Sequence, residues 1–373
     1  MHVIALGFRG IDSVEGGIET HAQALYPLLA QMGCKVEVLS RRRHSPTKVR
    51  HEFRGVHVTP LWAPRGKGIE AFVHSLIGLF YAAFKRPDLI HIHGIGPALM
   101  APLARLARLP VVITHHGQDY DAAKWGGFAQ WVLRTGEWAG VTFANQRIVV
   151  SEQLRASVET RFKRECIVIR NSVAAARPTP ETTLLSSLGL TSRRYVIEVA
   201  RFTEHKGQDL LIRAFSKARL NNWKLVLVGG ADRLDPFNAR VNELASKNDN
   251  VVLAGFRTGN ELAELYSHAG MFVLPSSYEG MPIAALEALS YRLPVILSDI
   301  PAHIELALPP SHYFKSQDCD ALSDRIIAMA ESCDRAGIRE LMARILKSIP
   351  DWNEVAQRTL EVYRAVAPPR DRL

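Results

Sequence analysis

Residues 271–299 read MFVLPSSYEGMPIAALEALSYRLPVILSD. The runs "MFVLPSS" and "LPVILSD" are near-continuously apolar and end in polar residues, the pattern of strands buried on both faces of a parallel sheet. The alanine-rich apolar run between them reads as a helix. The stretch therefore predicts a strand–helix–strand unit of an α/β domain. It also sets two carboxylates, Glu279 and Glu287, eight positions apart.

The same alternation runs outward in both directions. Upstream, "HVIALG", "KVEVLS", "DLIHIHG", "VVITHHG" and "RIVVSE" read as parallel strands. Helical stretches separate them, such as "ETHAQALYPLLAQMG", whose Gly33 suits a helix C-terminus. Residues 171–194, rich in Pro, Ser, Thr and Ala, read as a linker leading into a short helix. The alternation restarts with "YVIEVAR", "KLVLVGG" and "VVLAGF", followed by the two strands quoted first. A chain of 373 residues with this break is expected to form two domains. The expected fold is α/β, with two doubly wound, Rossmann-like domains facing across a cleft.

Composition narrows the class. With 47% hydrophobic and 22% charged residues, the chain has the balance of a soluble globular protein. The N-terminal "MHVIALGFRG" reads as a strand and not a signal peptide. The run "LIHIHGIGPALMAPLA" carries His, Pro and Gly and falls short of the roughly 18 residues a span wants. Four scattered cysteines (Cys34, Cys166, Cys319, Cys333) without a C-x-x-C pair indicate a reducing compartment. A cytoplasmic protein is expected, with peripheral contact at the inner face of the cell membrane as an added expectation.

Charge is unevenly placed. Residues 1–170 hold 22 Lys and Arg against 13 Asp and Glu, whereas residues 171–373 hold 24 of each. The excess positive charge on the N-terminal half, including "RRRH" at Arg41–His44, suits an anionic partner such as phosphate groups or an acidic membrane surface. The segment "IEAFVHSLIGLFYAAF", residues 69–84, fits a crossover helix better than a membrane-surface helix, because a strand follows it directly.

Ligands of open α/β sheets sit outside the carboxyl ends of the strands. Polar residues following strands are Gly16-Gly17, His93, His115-His116, Arg201 with Lys206 close behind, Gly229-Gly230, and the segment around Glu279. Pro282 suits the first position of its helix, which puts Glu279 in the loop ahead and Glu287 inside, on the order of 10 Å apart along the axis. Backbone amides at Gly280 and Met281 lie at a positive helix end that favours phosphate. A nucleotide-sugar matches this layout, with one carboxylate for the hexose, the other for the ribose, and the diphosphate between. Arg201 and Lys206 supply full positive charge to a leaving diphosphate, which makes a divalent metal unnecessary. "DYD" at Asp119–Asp121 is too short a pattern to carry a metal site. The His91/His93 and His115/His116 pairs lack the further spaced ligands of a zinc site. A dinucleotide-dependent dehydrogenase is disfavoured because no G-x-G-x-x-G follows a strand, and RNA binding because no aromatic-interleaved motif is present.

These residues resemble a known family. The Glu279-to-Glu287 segment is similar to the Glu-x7-Glu motif of the retaining glycosyltransferases of family four, whose fold is GT-B. "EVARFTEHKGQDLLIRAF" resembles that family's arginine–lysine stretch, "GGIETHAQAL" its N-terminal glycine loop, and "DWNEVAQRTLEVYRAV" its final helix. The resemblance covers essentially the whole chain. It implies that Glu279 contacts the transferred sugar, Glu287 the ribose, and Arg201 and Lys206 the diphosphate. It further implies that Gly16 and Gly17 admit the donor backbone-close, that His116 contacts the sugar, and that Gly280, Met281 and Pro282 line the donor site, the first two through their backbone amides. The leaving phosphate would take the acceptor proton, so no protein nucleophile is assigned. Arg257 is expected near the base, which UDP-, GDP- or dTDP-linked donors would supply. Domain bounds become 1–170 plus 355–373 for the acceptor, and 171–354 for the nucleotide-sugar, with the last helix returning to the N-terminal domain. The expected acceptor is a glycan or lipid-diphosphate-linked glycan of a surface polysaccharide such as O-antigen. Alternatives are a small soluble acceptor or a catalytically idle donor-binding protein. Ala200, Ser172, Arg292 and Ile300-Pro301 stand where the family often has glycine, while Glu305 fills a further family glutamate position.

Overall fold

The computed structural model describes residues 1–12, 16–66, 68–118, 126–231, 235–332 and 335–367. The chain divides into two compact units, Met1–Ser172 with Pro350–Leu373, and Val173–Ile349.

The first unit runs β1 (His2–Leu6), α1 (Gly17–Gln31), β2 (Lys35–Arg41), β3 (His51–Phe53), β4 (Val56–Leu61), α2 (Ile69–Lys85), β5 (Leu89–His93), α3 (Ala101–Leu106), β6 (Val111–His115), α4 (Gly127–Phe143), β7 (Gln146–Val149), α5 (Glu152–Phe162) and β8 (Ile167–Val168). Its sheet has the order β3-β4-β2-β1-β5-β6-β7-β8. Every pairing is parallel except the β3–β4 hairpin. That hairpin and β8 were not legible as strands. β3 is three residues of mixed polarity, β8 is two, and β4 carries Pro60.

The second unit continues with α6 (Thr183–Ser187), β9 (Tyr195–Val199), α7 (Gln208–Ala218), β10 (Lys224–Val228), α8 (Pro236–Ser246), β11 (Val251–Gly255), α9 (Gly259–His268), β12 (Met271–Leu274) and α10 (Ile283–Ser290). It closes with β13 (Val295–Ser298), α11 (Pro301–Ile304), β14 (Tyr313–Phe314), α12 (Cys319–Glu331) and α13 (Arg335–Leu346). Its sheet is parallel, in the order β11-β10-β9-β12-β13-β14. The apolar runs are continuous because both faces of this sheet are covered. On β10, Val226 and Val228 join one core cluster while Leu225 and Leu227 join the other.

The last helix, α14 (Trp352–Val366), belongs to the first unit. Asp351 caps it by accepting from the Glu354 amide at 2.8 Å. Its Val355, Leu360 and Tyr363 share a core cluster with Leu25, Tyr26 and Leu29 of α1. The expected return of the C-terminal helix is therefore present. Among the described residues, no helix is long and apolar enough to cross a membrane.

Both sheets have a topological switch point beside their first strand, where successive connections run in opposite directions. In the first unit it lies between β1 and β5, and in the second between β9 and β12.

Candidate active site

The second unit's switch point gathers side chains from three adjacent strand ends. Lys206 follows β9 through a one-turn 3-10 helix, Glu279 follows β12, and Ser298 ends β13. Lys206 Nζ stands 2.5 Å from Glu279 Oε1, which also accepts from Ser276 Oγ at 2.7 Å. The Ser277 amide donates to the His205 carbonyl at 2.8 Å, which fastens the two loops. Ser298 Oγ donates to the Ser276 carbonyl at 2.5 Å and holds the base of the Glu279 loop. Burial works to raise the Glu279 carboxyl, yet Lys206, His303 and Ser276 outweigh it and keep the group below its usual range. Glu279 is thus held as an anion.

Gly280, Met281 and Pro282 connect Glu279 to α10. Pro282 stands one place earlier than the sequence suggested, as the N-cap with ψ 86°, because its backbone leaves the helical region there. No side chain caps this helix start, so its first amides keep their capacity for an anion. Glu287 lies on α10 and accepts from Tyr266 Oη at 3.1 Å. Burial pushes its carboxyl up to about 7, against the lowering effect of that hydrogen bond. Two glutamates eight residues apart are therefore shifted in opposite directions, since only one has a cation beside it.

Arg201 lies in the loop after β9, where its carbonyl accepts from Gln208 Nε2 at 3.3 Å. Gln208 also donates to Glu198 Oε1 at 2.9 Å. Glu198 is fully buried on β9, and burial pushes it up to about 8. Arg257 follows the edge strand β11 and is separated from β9 by β10. Its guanidinium binds Glu261 at 2.9 Å and the Ala254 carbonyl at 2.8 Å.

In the first unit the switch point holds a chain of aromatic rings. His93, ending β5, contacts His116 just beyond β6 through Nδ1 and Nε2 at 2.9 Å. The Tyr26 hydroxyl on α1 bonds His93 Nε2 and, at 3.1 Å, His91 Nδ1. Tyr363 of α14 also bonds His91 Nδ1, at 2.6 Å. His21 on α1 bonds Asn171 Oδ1 at 2.8 Å and sets its ring edge-on to Trp352. Burial holds His21 down at about 4, and burial with neighbouring imidazoles holds His91, His93 and His116 well below the usual histidine range. These rings are neutral hydrogen-bonding groups at physiological pH. His21, His93 and His116 are the described side chains with metal-holding proximity, their ligand atoms lying within 4.8 Å of one another. Gly16 and Gly17 open α1, Gly16 as an extended N-cap. Asp119–Asp121 lie outside the described residues.

Sequence reasoning missed His21, Tyr26, Asn171 and Tyr363 in this cluster, and Tyr266, Ser276 and Glu198 in the other. His21 and Tyr26 were readable as polar members of an otherwise apolar helix face. Asn171 and Tyr363 approach from distant parts of the chain and leave no local signal.

A family model described as "Glycosyl transferases group 1" matches residues 184–340, and one described as "Glycosyltransferase Family 4" matches residues 15–177. The chain belongs to glycosyltransferase family four. Members of this family are retaining enzymes of GT-B fold that move a sugar from a nucleotide-sugar donor. An uncharacterised glycosyltransferase of Methanocaldococcus jannaschii is 25% identical over 94% of this chain and 95% of its own. The alpha-maltose-1-phosphate synthase of Mycolicibacterium smegmatis is 27% identical, covering 74% of this chain and 79% of its own. The GDP-mannose:cellobiosyl-diphosphopolyprenol alpha-mannosyltransferase of Xanthomonas oryzae is 26% identical over 77% of each chain. In fold, the glycosyltransferase aligns with sucrose-phosphate synthase of Thermosynechococcus elongatus at a TM-score of 0.83, with 21% identity over 98% of both chains.

Proposed function

We propose that this glycosyltransferase moves a hexose, with retention and without a divalent metal, from a nucleotide-sugar to a lipid-diphosphate-linked glycan of a cell-surface polysaccharide. The carrying observation is the Lys206–Glu279 pair at the switch point beside the uncapped start of α10. Glu279 is an anion fixed for hydrogen bonds from sugar hydroxyls. Lys206 and Arg201 place two cations where the leaving diphosphate gains charge. The amides from Gly280 to the first residues of α10 face the same anion, and Glu287 accepts from ribose hydroxyls. His116, neutral and fixed by His93, serves as a hydrogen-bonding partner for the sugar, and Gly16 and Gly17 leave room for the donor. Arg257 lies near the base in this reading, which its ion pair with Glu261 permits only if that pair opens.

The acceptor part rests on the excess of Lys and Arg in residues 1–170 and on the diphosphopolyprenol acceptor named for the Xanthomonas relative. The maltose-1-phosphate synthase relative supports the second reading, a small soluble acceptor. A cytoplasmic location with the acceptor presented at the inner membrane face follows from the first reading.

The test is thermal unfolding with UDP, GDP, ADP or dTDP, each in EDTA. A ligand at about 100 times its dissociation constant stabilises the native state by about 2.7 kcal/mol. One diphosphate is expected to raise the melting temperature and thereby name the base. Stabilisation by none, or only after Mg²⁺ replaces EDTA, overturns the metal-free site. Sugar transfer to a polyprenyl-diphosphate glycan but not to free sugar phosphates then separates the two acceptor readings.

A further inference from the structure

Helices α2, α3 and α4 lie on one face of the first sheet. They carry the rightward crossovers β4 to β5, β5 to β6 and β6 to β7, while α1 carries the leftward crossover β1 to β2 on the opposite face. All three also carry large apolar residues on their outward face. A crossover helix ordinarily buries its large residues and exposes its polar ones.

In α4 the inward face is small. A Cβ on Gly136 would stand 2.2 Å from the Ile95 carbonyl oxygen, and one on Gly140 would stand 2.6 Å from Ala98 Cβ. Close approach of the helix to the chain after β5 thus requires glycine, and the bulk is displaced outward. Phe128, 80% exposed, stacks on the exposed Trp131 at 6.0 Å between ring centroids, and Trp138 follows on the same stripe. In α2 the inward residues include Ser75, Gly78 and Ala82, and a Cβ on Gly78 would meet Leu39 at 3.2 Å. Its outward stripe is Phe72, Phe80 and Phe84, the last 85% exposed. Between the two, Leu106 of α3 is 81% exposed. An apolar area of this kind marks a docking surface.

Its charge selects the occupant. Exposed Lys85 and Arg86 end α2, Arg105 and Arg108 flank Leu106, and Arg134 lies between Trp131 and Trp138. No exposed Asp or Glu occurs among the described residues from 62 to 145. Aromatic rings interleaved with guanidinium and ammonium groups, on a face where the described residues expose no carboxylate, suit the interface of an anionic bilayer. A second copy of this chain meeting face to face would oppose like charges.

We infer that the outward face of α2, α3 and α4 docks on an anionic phospholipid bilayer, its aromatic side chains entering the headgroup region and its basic side chains binding lipid phosphates. The inference deepens the proposed lipid-linked acceptor reading, on which its purpose rests, by naming the surface that meets the membrane.

The test is co-sedimentation of the full chain with phosphatidylglycerol-containing and pure phosphatidylcholine vesicles, at low and high salt. Variants are F80S/F84S and F128S/W131S, at exposed positions where melting temperature is expected to hold. The parent chain is expected to bind the anionic vesicles, and each double variant to bind at least about tenfold more weakly. R105E/R108E is expected to weaken binding at low salt. Absence of binding at low salt, or equal binding by parent and aromatic variants, overturns the inference. So does a concentration-dependent dimer that the aromatic variants abolish, which assigns the face to a second copy. Nucleoside-diphosphate stabilisation is measured on the same variants and is expected to be unchanged. Failure of vesicle binding with intact nucleotide binding removes this inference alone, whereas failure of nucleotide binding removes the donor site alone.

Discussion

Lys206 Nζ lies 2.5 Å from Glu279 Oε1, joining the loops that follow β9 and β12. The two side chains are 19% and 10% exposed, so each desolvates the other. Removing one partner leaves the other charge partly buried without its counter-ion, at a cost of about 1–3 kcal/mol after allowance for residual solvent. The double variant Lys206→Met with Glu279→Gln is expected to be more stable than the sum of the single variants predicts. Denaturant unfolding of the four proteins measures this coupling, and strict additivity would show that the ion pair contributes nothing. In turnover, each single variant is expected to lose about 10²–10³-fold in kcat, since both groups are proposed to act on charge and sugar at the reacting bond.

Glu287 gives the donor site a pH dependence. Its carboxyl sits at about 7 in the free protein, raised by burial, and the proposed ribose contact needs the ionised acceptor. Nucleotide affinity is therefore expected to weaken as pH falls below about 7, because a proton must be released on binding. Titration calorimetry with the stabilising diphosphate across this range checks it. Tyr266→Phe removes the hydrogen bond that lowers the Glu287 carboxyl, so the profile should shift to higher pH. Glu287→Gln should flatten it. A flat profile in the parent chain would sink the ribose assignment.

The second unit was legible almost strand for strand because β9, β10, β12 and β13 are buried on both faces, and burial on both faces writes itself as an unbroken apolar run. The positions of Lys206 and Glu279 after β9 and β12, and of Glu287 on the helix that follows, were legible because the strand–helix alternation fixes where strand-end loops fall. The pairing of Lys206 with Glu279 was not, since 73 residues separate them and only the adjacency of β9 and β12 brings them together. The His21–Tyr26–His93–Tyr363 cluster was hidden for the same reason, with α14 supplying Tyr363 from the far end of the chain. The segment 69–84 shows a different limit. It is a crossover helix, as its position required, yet Phe80 and Phe84 face outward, because its inner face was claimed by Gly78 and Ala82.

Gly229 reports on the strand end that carries Arg201. Its φ is +136°, and a Cβ there would stand 1.9 Å from the Ala200 carbonyl oxygen. Backbone on both sides prevents relief by rotamer change. Gly229→Ala is expected to destabilise the protein by about 2 kcal/mol or more and to displace the Arg201 loop. Gly230→Ala, one residue on, meets nothing within 4 Å and should be close to neutral. Chemical denaturation of the two variants makes the comparison, and equal stabilities would contradict the close approach.

Glu198 should set the alkaline side of the stability profile. Burial raises its carboxyl to about 8 from an ordinary 4.5, although Lys206 and Gln208 act against burial. A carboxyl raised in the native state favours folding while it is protonated. That contribution is complete below about 4.5, declines once the unfolded chain ionises, and is gone above about 8. Glu287 acts with the same sign up to about 7, and buried His21 and His303, lowered to about 4, act oppositely below 6.5. Between about 7 and 8 Glu198 is the buried group still titrating among these. Glu198→Gln keeps the shape and removes the titration, so its melting temperature should gain on the parent chain as pH rises from 7 to 8. The gain should level off beyond. Thermal scans at closely spaced pH values decide it, and parallel curves through that window would show that Glu198 ionises normally.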